Sequence, residues 1–180
     1  MIHIYHPNKA VKGFACSFWF SHKHNSFFAT LIKQSGWDDQ NQNGTFKDSL
    51  KDPNKKVSIK LSEIEVCSIL DCVERNRPFS TFHDAEESPK SISFTPWMAA
   101  AGASAIDDDT PAKTQQRGFS FSIVVNPKDE TKKNSFYIGL TFAEGRYIRE
   151  FLIHYLHHQF DKNVPSNTEE RPAQEPLVNV

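Results

Sequence analysis

The sequence predicts an α+β protein of two ββββα-like repeats, with antiparallel sheets and helices packed on one side of them. Three observations carry this prediction. Short runs of aromatic and β-branched residues recur between polar turns, as strands do. Two Ser/Thr-x-x-Glu capping boxes, Ser62 to Glu65 and Thr141 to Glu144, each open an amphipathic stretch. The two boxes follow matching strand endings, Ile59-Lys60-Leu61 and Ile138-Gly139-Leu140, at an internal period of roughly eighty residues.

Along the chain, Phe14-Ala15-Cys16-Ser17-Phe18-Trp19-Phe20 alternates, and Phe27 to Ile32 follows the polar turn from Ser21 to Ser26, so the two read as a hairpin. A polar stretch from Asp38 to Lys56, in which Phe46 marks a further short strand, leads into the alternating Val57-Ser58-Ile59-Lys60-Leu61. The first helix then carries Val66, Ile69, Leu70 and Val73 on one face and stops before Pro78. Strand signals return at Phe79 to His83, Ser91 to Trp97, Gly118 to Val125 and Asn134 to Leu140. The second capped helix follows, striped by Ile148, Phe151, Leu152, Tyr155 and Leu156. Tyr147 and Phe160 widen that stripe, as expected of a helix that packs on its own sheet and on a neighbouring subunit.

This organisation places one domain over residues 1–160, with repeats at 10–77 and 78–160 and a mobile insert over 99–116. Residues 161–180 read as a disordered acidic tail: Asp161, Glu169, Glu170 and Glu175 stand against Lys162 and Arg171 among three prolines. Three readings of the tail stay open: capture of protein partners such as replication proteins, competition with nucleic acid for the basic face, and a plain frayed terminus, the commoner case. No apolar run is long enough to span a bilayer, and the start from Met1 to Pro7 lacks the pattern of an export signal. The expectation is a cytoplasmic protein of a bacterium or a virus-infected cell, not secreted, with Cys16, Cys67 and Cys72 reduced and buried.

The net charge of −1 hides a polarised distribution. Residues 1–60 hold nine lysines against four aspartates (+5), residues 61–120 five basic against ten acidic groups (−5), and residues 121–180 seven against eight (−1). A basic first third suits a polyanionic partner. On the strands, if Phe14, Cys16, Phe18 and Phe20 face the core, then Ala15, Ser17 and Trp19 face out. The same rule turns Ser58, Lys60, Ser93, Thr95, Trp97, Ser120, Ser122 and Tyr137 outward, while Phe27 to Ile32 is apolar on both phases and resists assignment. Small hydroxyls, lysines and scattered aromatics on an open sheet suit a single nucleic-acid strand: rings stack on bases, hydroxyls donate to phosphates and lysines supply the salt-dependent attraction. The candidate contacts are Lys9, Lys12, Ser17, Trp19, Lys33, Lys56, Ser58, Lys60, Thr95, Trp97 and Tyr137. A sheet's wet face is also rich in Ser and Thr for no reason beyond solubility, so composition by itself leaves both readings open.

Signals of chemistry are lacking. His154 and His158 stand at i, i+4 without a third ligand in reach of the pattern, no Gly-rich phosphate loop occurs, and Asp38-Asp39 lies where a solvated turn is expected. Neither enzymatic activity, nor a cofactor, nor a metal is expected. No recognition helix or zinc-finger spacing favours duplex DNA.

The order of elements, two successive ββββα units each ending in a capped helix, resembles the Whirly family of single-stranded DNA-binding proteins and its relatives, the mitochondrial guide-RNA-binding proteins and positive-cofactor-type coactivators. The resemblance spans residues 4–160, and Ile4-Tyr5-His6-Pro7-Asn8-Lys9-Ala10-Val11-Lys12-Gly13 is similar to the family's Lys-Gly-Lys-Ala-Ala-type tract. The chain looks most like compact bacterial or phage members. The resemblance implies blade-like sheets, helices at a subunit interface in a dimer or tetramer, and DNA laid across the sheet edges. It also implies Lys9 and Lys12 as phosphate contacts, with Trp19 and Trp97 as stacking rings. The function expected is sequence-tolerant single-stranded DNA binding in replication, recombination or repair. The alternatives are an RNA-binding or transcription-regulating module, or an oligomeric interaction protein that binds no nucleic acid.

Overall fold

Alternation of apolar and polar residues decides both sheets. The computed structural model describes residues 1–85, 88–100, 114–126 and 133–163. The first sheet joins β1 (Ile2–His6), β2 (Phe14–Ser21), β3 (Ser26–Lys33) and β6 (Lys56–Leu61), all antiparallel and in that spatial order. Between β3 and β6 the chain makes a small hairpin, β4 (Gly36–Asp38) with β5 (Asn43–Thr45), and one 3-10 turn at Asp48–Leu50. After α1 (Glu63–Arg75), the second sheet joins β7 (Phe79–His83), β8 (Lys90–Ala100), β9 (Thr114–Val125) and β10 (Asn134–Leu140). It is again antiparallel in chain order, and α2 (Phe142–Asn163) follows.

The inward phases are those expected: Cys16, Phe18, Val57, Ile59, Leu61, Ile92, Phe94, Phe119, Phe121, Ile123, Phe136, Ile138 and Leu140 are buried in one continuous core. The two units share that core rather than each enclosing its own. Phe18 of the first sheet meets Phe121 of the second with centroids 5.5 Å apart, and Phe27 packs on Phe151 and Tyr155 of α2. The helices tie the units together as well, since α1 packs on β7 and β8 of the second unit, while α2 packs on β9 and β10 of its own and also touches β1.

Both capping boxes form. Ser62 Oγ accepts from the Glu65 backbone N–H, Thr141 Oγ1 accepts from that of Glu144, and each carboxylate accepts from the cap residue's backbone N–H. Each glutamate also takes a hydrogen bond from a histidine at the end of the other unit's first strand: His83 Nε2–H to Glu65 (2.7 Å) and His6 Nε2–H to Glu144 (2.6 Å). Burial alone would raise both carboxyls. The bonds from the cap residue and the histidine outweigh it and hold each below the ordinary value of 4.5. A folded-state value below the unfolded one means that the stabilisation is present above about pH 4.5 and fades as pH falls through the folded value. Replacing Glu65→Gln together with Glu144→Gln is expected to cost about 1 kcal/mol per site at neutral pH. Urea unfolding at about pH 7 and about pH 3 should then show the variant and the native curves converging on the acid side.

Five expectations change. The segment Ile2–His6 is a strand, although the opening residues read only as lacking a targeting pattern. The short strand expected at Phe46 ends one residue earlier, as β5. Cys67 is exposed on α1, while Cys16 and Cys72 are buried and burial pushes their thiols up to about 12 and about 11. Of the mobile insert set at 99–116, Ala99 and Ala100 pair with Gln115 and Thr114 in an extended β8–β9 ladder, and residues 101–113 lie outside the described residues. Of the tail set at 161–180, residues 161–163 belong to α2, and 164–180 lie outside the described residues.

Candidate nucleic-acid interface

Register sets the outer face of the first sheet as three cross-strand rows: Trp19–Phe28–Lys60, His3–Ser17–Thr30–Ser58, and Tyr5–Ala15–Ile32–Lys56. The middle row is a line of hydroxyls. Thr30 Oγ1 and Ser58 Oγ share a hydrogen bond of 2.8 Å, and the Trp19 indole N–H leans on Thr30 Oγ1 at 3.4 Å. In the first row Trp19 stacks on Phe28 with centroids 4.5 Å apart and planes 16° from parallel. Over the third row comes the segment after β5, which brings Phe46 to 5.7 Å from Tyr5 and leaves Ala15, expected outside, buried. The result is a cleft of about 760 Å³ with a sheet floor, one wall made by Asn43 to Lys47 and Leu50, and Lys47 and Lys56 on its lining.

The loop that carries Lys9 and Lys12 is fixed by a buried side chain. Gln34 Oε1 accepts from the backbone N–H groups of Asn8 and Gly13, and Gln34 Nε2 donates to the carbonyls of Asn8 and Gly36. Four bonds to backbone tie this loop to β4. A side chain at Gly13 would collide with His6 O and Gln34 Oε1, so the close approach needs glycine. Lys9 pairs with Asp39 at 3.1 Å, but both side chains are more than 70% exposed, so the pair is weak and a phosphate can displace it. Lys12 is exposed beside it.

Of the expected contacts, Ser17, Trp19, Lys56 and Ser58 line the cleft, Lys60 continues its aromatic row, and Lys9 and Lys12 stand on the adjoining loop. Thr95, Trp97 and Tyr137 lie on the outer face of the second sheet. Lys33 is a correction. It falls on the inward phase of β3, where its ammonium donates to Asn134 Oδ1 (2.6 Å) and sits 4.6 Å over the Phe136 ring, joining the two sheets. Burial lowers its pKa, with Asp52 opposing. His3, Tyr5, Phe28, Thr30, Phe46 and Lys47 belong to the face and were missed. The alternation Ile2-His3-Ile4-Tyr5 was a usable signal for two of them. Among the described residues no group of His, Cys, Asp and Glu is placed to hold a metal. His154 is exposed, and the His158 ring meets Phe20 and His22 edge-on. The Asp38 carboxylate accepts from Gln40 and Asn41 in the turn expected there.

No protein-family model matches the chain, and no curated protein matches it significantly in sequence. Solved structures do match in shape. The chain is similar to WHY1 from Arabidopsis thaliana, with a TM-score of 0.56 at 14% identity over 98% of each chain. It is similar to the plant transcriptional regulator PBF-2, with a TM-score of 0.55 at 15% identity over 89% of this chain and 84% of that one. A third likeness is to a guide-RNA-binding protein complex bound to a guide RNA, with a TM-score of 0.50 at 14% identity over 88% and 90%. With two four-stranded antiparallel sheets each followed by a helix, and with these likenesses over nearly its whole described length, the chain has the Whirly-like fold.

Proposed function

We propose that this protein binds single-stranded nucleic acid, DNA in the first place, with little sequence preference, on the outer face of its first sheet. The observation that carries the proposal is the cleft in which a hydroxyl row runs between aromatic residues and lysines. An unstacked strand offers base faces to rings and phosphates to lysines, whereas a duplex keeps its base faces inside the stack. The work is binding, not catalysis. A fold similar to a guide-RNA-bound complex supports RNA as the second reading. Phe142, Tyr147 and Phe160 on α2 and Ile64 on α1 are exposed, which favours assembly through the helices into a dimer or tetramer. Replication, recombination or repair is the setting proposed, with partners taken by the acidic tail. Among the described residues no helix is long and apolar enough to cross a membrane.

Fluorescence titration with labelled oligo-dT at two salt concentrations, with duplex DNA and oligo-U as competitors, tests the reading. Binding that weakens with salt and resists duplex is the expected result, and displacement by oligo-U would move the preference to RNA. No binding at low salt would end the proposal.

A further inference from the structure

The two sheets are position-matched, and the match exposes a difference. Lys60 and Gly139 each stand two residues before their helix cap, and the row through each crosses the sheet at the same level: Trp19–Phe28–Lys60 in the first, Thr95–Ser120–Gly139 in the second. In the first sheet the row fills itself, since Trp19 lies face to face on Phe28. In the second the same row holds only a hydroxyl pair and a glycine. Trp97, from the next level of β8, extends over that row, and a Cβ added to Gly139 would stand 3.2 Å from its ring. Tyr137, two residues from Gly139 on the same face, packs its ring against Phe14 of β2 at 4.7 Å. What remains is a slot of about 320 Å³ lined by Trp97, Tyr137, Gly139, Ser120, Thr141 and His6.

Resting on the strand-binding reading, we propose that this slot takes one unstacked nucleobase of the bound strand, held among Trp97, Tyr137 and the Gly139 floor. Both rings are exposed beside the slot, Trp97 at 43% and Tyr137 at 59%, unlike the half-buried Trp19. Polar groups stand at the rim where a base edge would come. These are the Ser120 hydroxyl and the His6 ring, the latter oriented by its bond to Glu144. The slot lies beside the first sheet, since His6 of β1 is part of its lining and Tyr137 packs on Phe14 of β2. The stacking role assigned from sequence to Trp19 and Trp97 alike falls chiefly to Trp97, because one face of Trp19 is already occupied by Phe28.

The test uses the full chain and an oligo-dT carrying a single 5-iodo-deoxyuridine, cross-linked by light and mapped by mass spectrometry, together with affinities of Trp97→Ala and Gly139→Val. A cross-link to Trp97 or Tyr137, and a loss of about tenfold in affinity on removing the ring or filling the slot, are expected. Circular dichroism melts identify a variant that has lost its fold, in which case the cross-link in the unaltered chain decides. A strand that binds and depends on the first-sheet lysines, yet cross-links only there and tolerates Trp97→Ala, overturns the slot and leaves the broader reading standing. No strand binding by the unaltered protein overturns both.

Discussion

Replacing Lys47, Lys56 and Lys60 by alanine together should reduce affinity for oligo-dT about 100-fold at about 0.1 M salt. Each lysine that neutralises a phosphate of a single strand releases roughly 0.7 of a counterion, so three contribute about 2 to the slope of log affinity against log salt. Lys47 and Lys56 line the cleft and Lys60 extends its aromatic row, and none of the three has an ion-pair partner among the described residues. The slope itself is the discriminating readout, measured by titration across a salt series. A slope that stays at the native value would place the phosphates elsewhere, even if affinity fell. Because all three side chains end at the surface, the melting temperature should hardly move.

Phe121→Ala should destabilise the protein by about 3–5 kcal/mol, the range for emptying a fully buried aromatic site. Phe121 is wholly buried, touches Phe18 across the two sheets at 5.5 Å and Phe94 within its own at 5.9 Å. Its loss leaves a cavity in the core that the two units share. Chemical unfolding of this variant, of Phe18→Ala and of the pair gives a coupling energy between the sheets. Contacting residues in one core should depart from additivity by about 0.5 kcal/mol or more. Fully additive losses would show that the two sheets are stabilised independently and that the single core is wrong.

The parts of the fold legible in the sequence were those with strong local periodicity. Val57-Ser58-Ile59-Lys60-Leu61 can bury one face only as a strand, and Ser62 with Glu65, like Thr141 with Glu144, supplies the donors and acceptors that a helix start leaves unmatched. Where periodicity failed, so did the reading. Phe27 to Ile32 is apolar on both phases because β3 is central: one side meets α2 and the other bears Trp19 and lies in the cleft, so Phe28, Thr30 and Ile32 passed unrecognised as face residues. Ser17, Trp19, Lys56 and Ser58 could be placed on the outer face because alternation on their strands is clean. Lys33 was misplaced because a lysine near a basic face looks the same in sequence whether its ammonium meets solvent or, as here, Asn134 and the Phe136 ring. Gln34 gave no local signal at all, since its four bonds reach backbone distant in sequence.

By itself the sequence determined the two units, the phases of the strands that alternate, both helix caps and the basic character of the first third, because each depends on neighbours a few residues apart. Only the tertiary structure decided that the units share one core, that each cap glutamate is held by the other unit's histidine, and that the loop after β5 turns an open sheet into a walled cleft. It alone separated a tryptophan stacked on Phe28 of its own sheet, Trp19, from one that is exposed, Trp97. Those outcomes depend on which surfaces meet across tens to more than a hundred residues, and no local pattern encodes a contact whose partner lies that far along the chain.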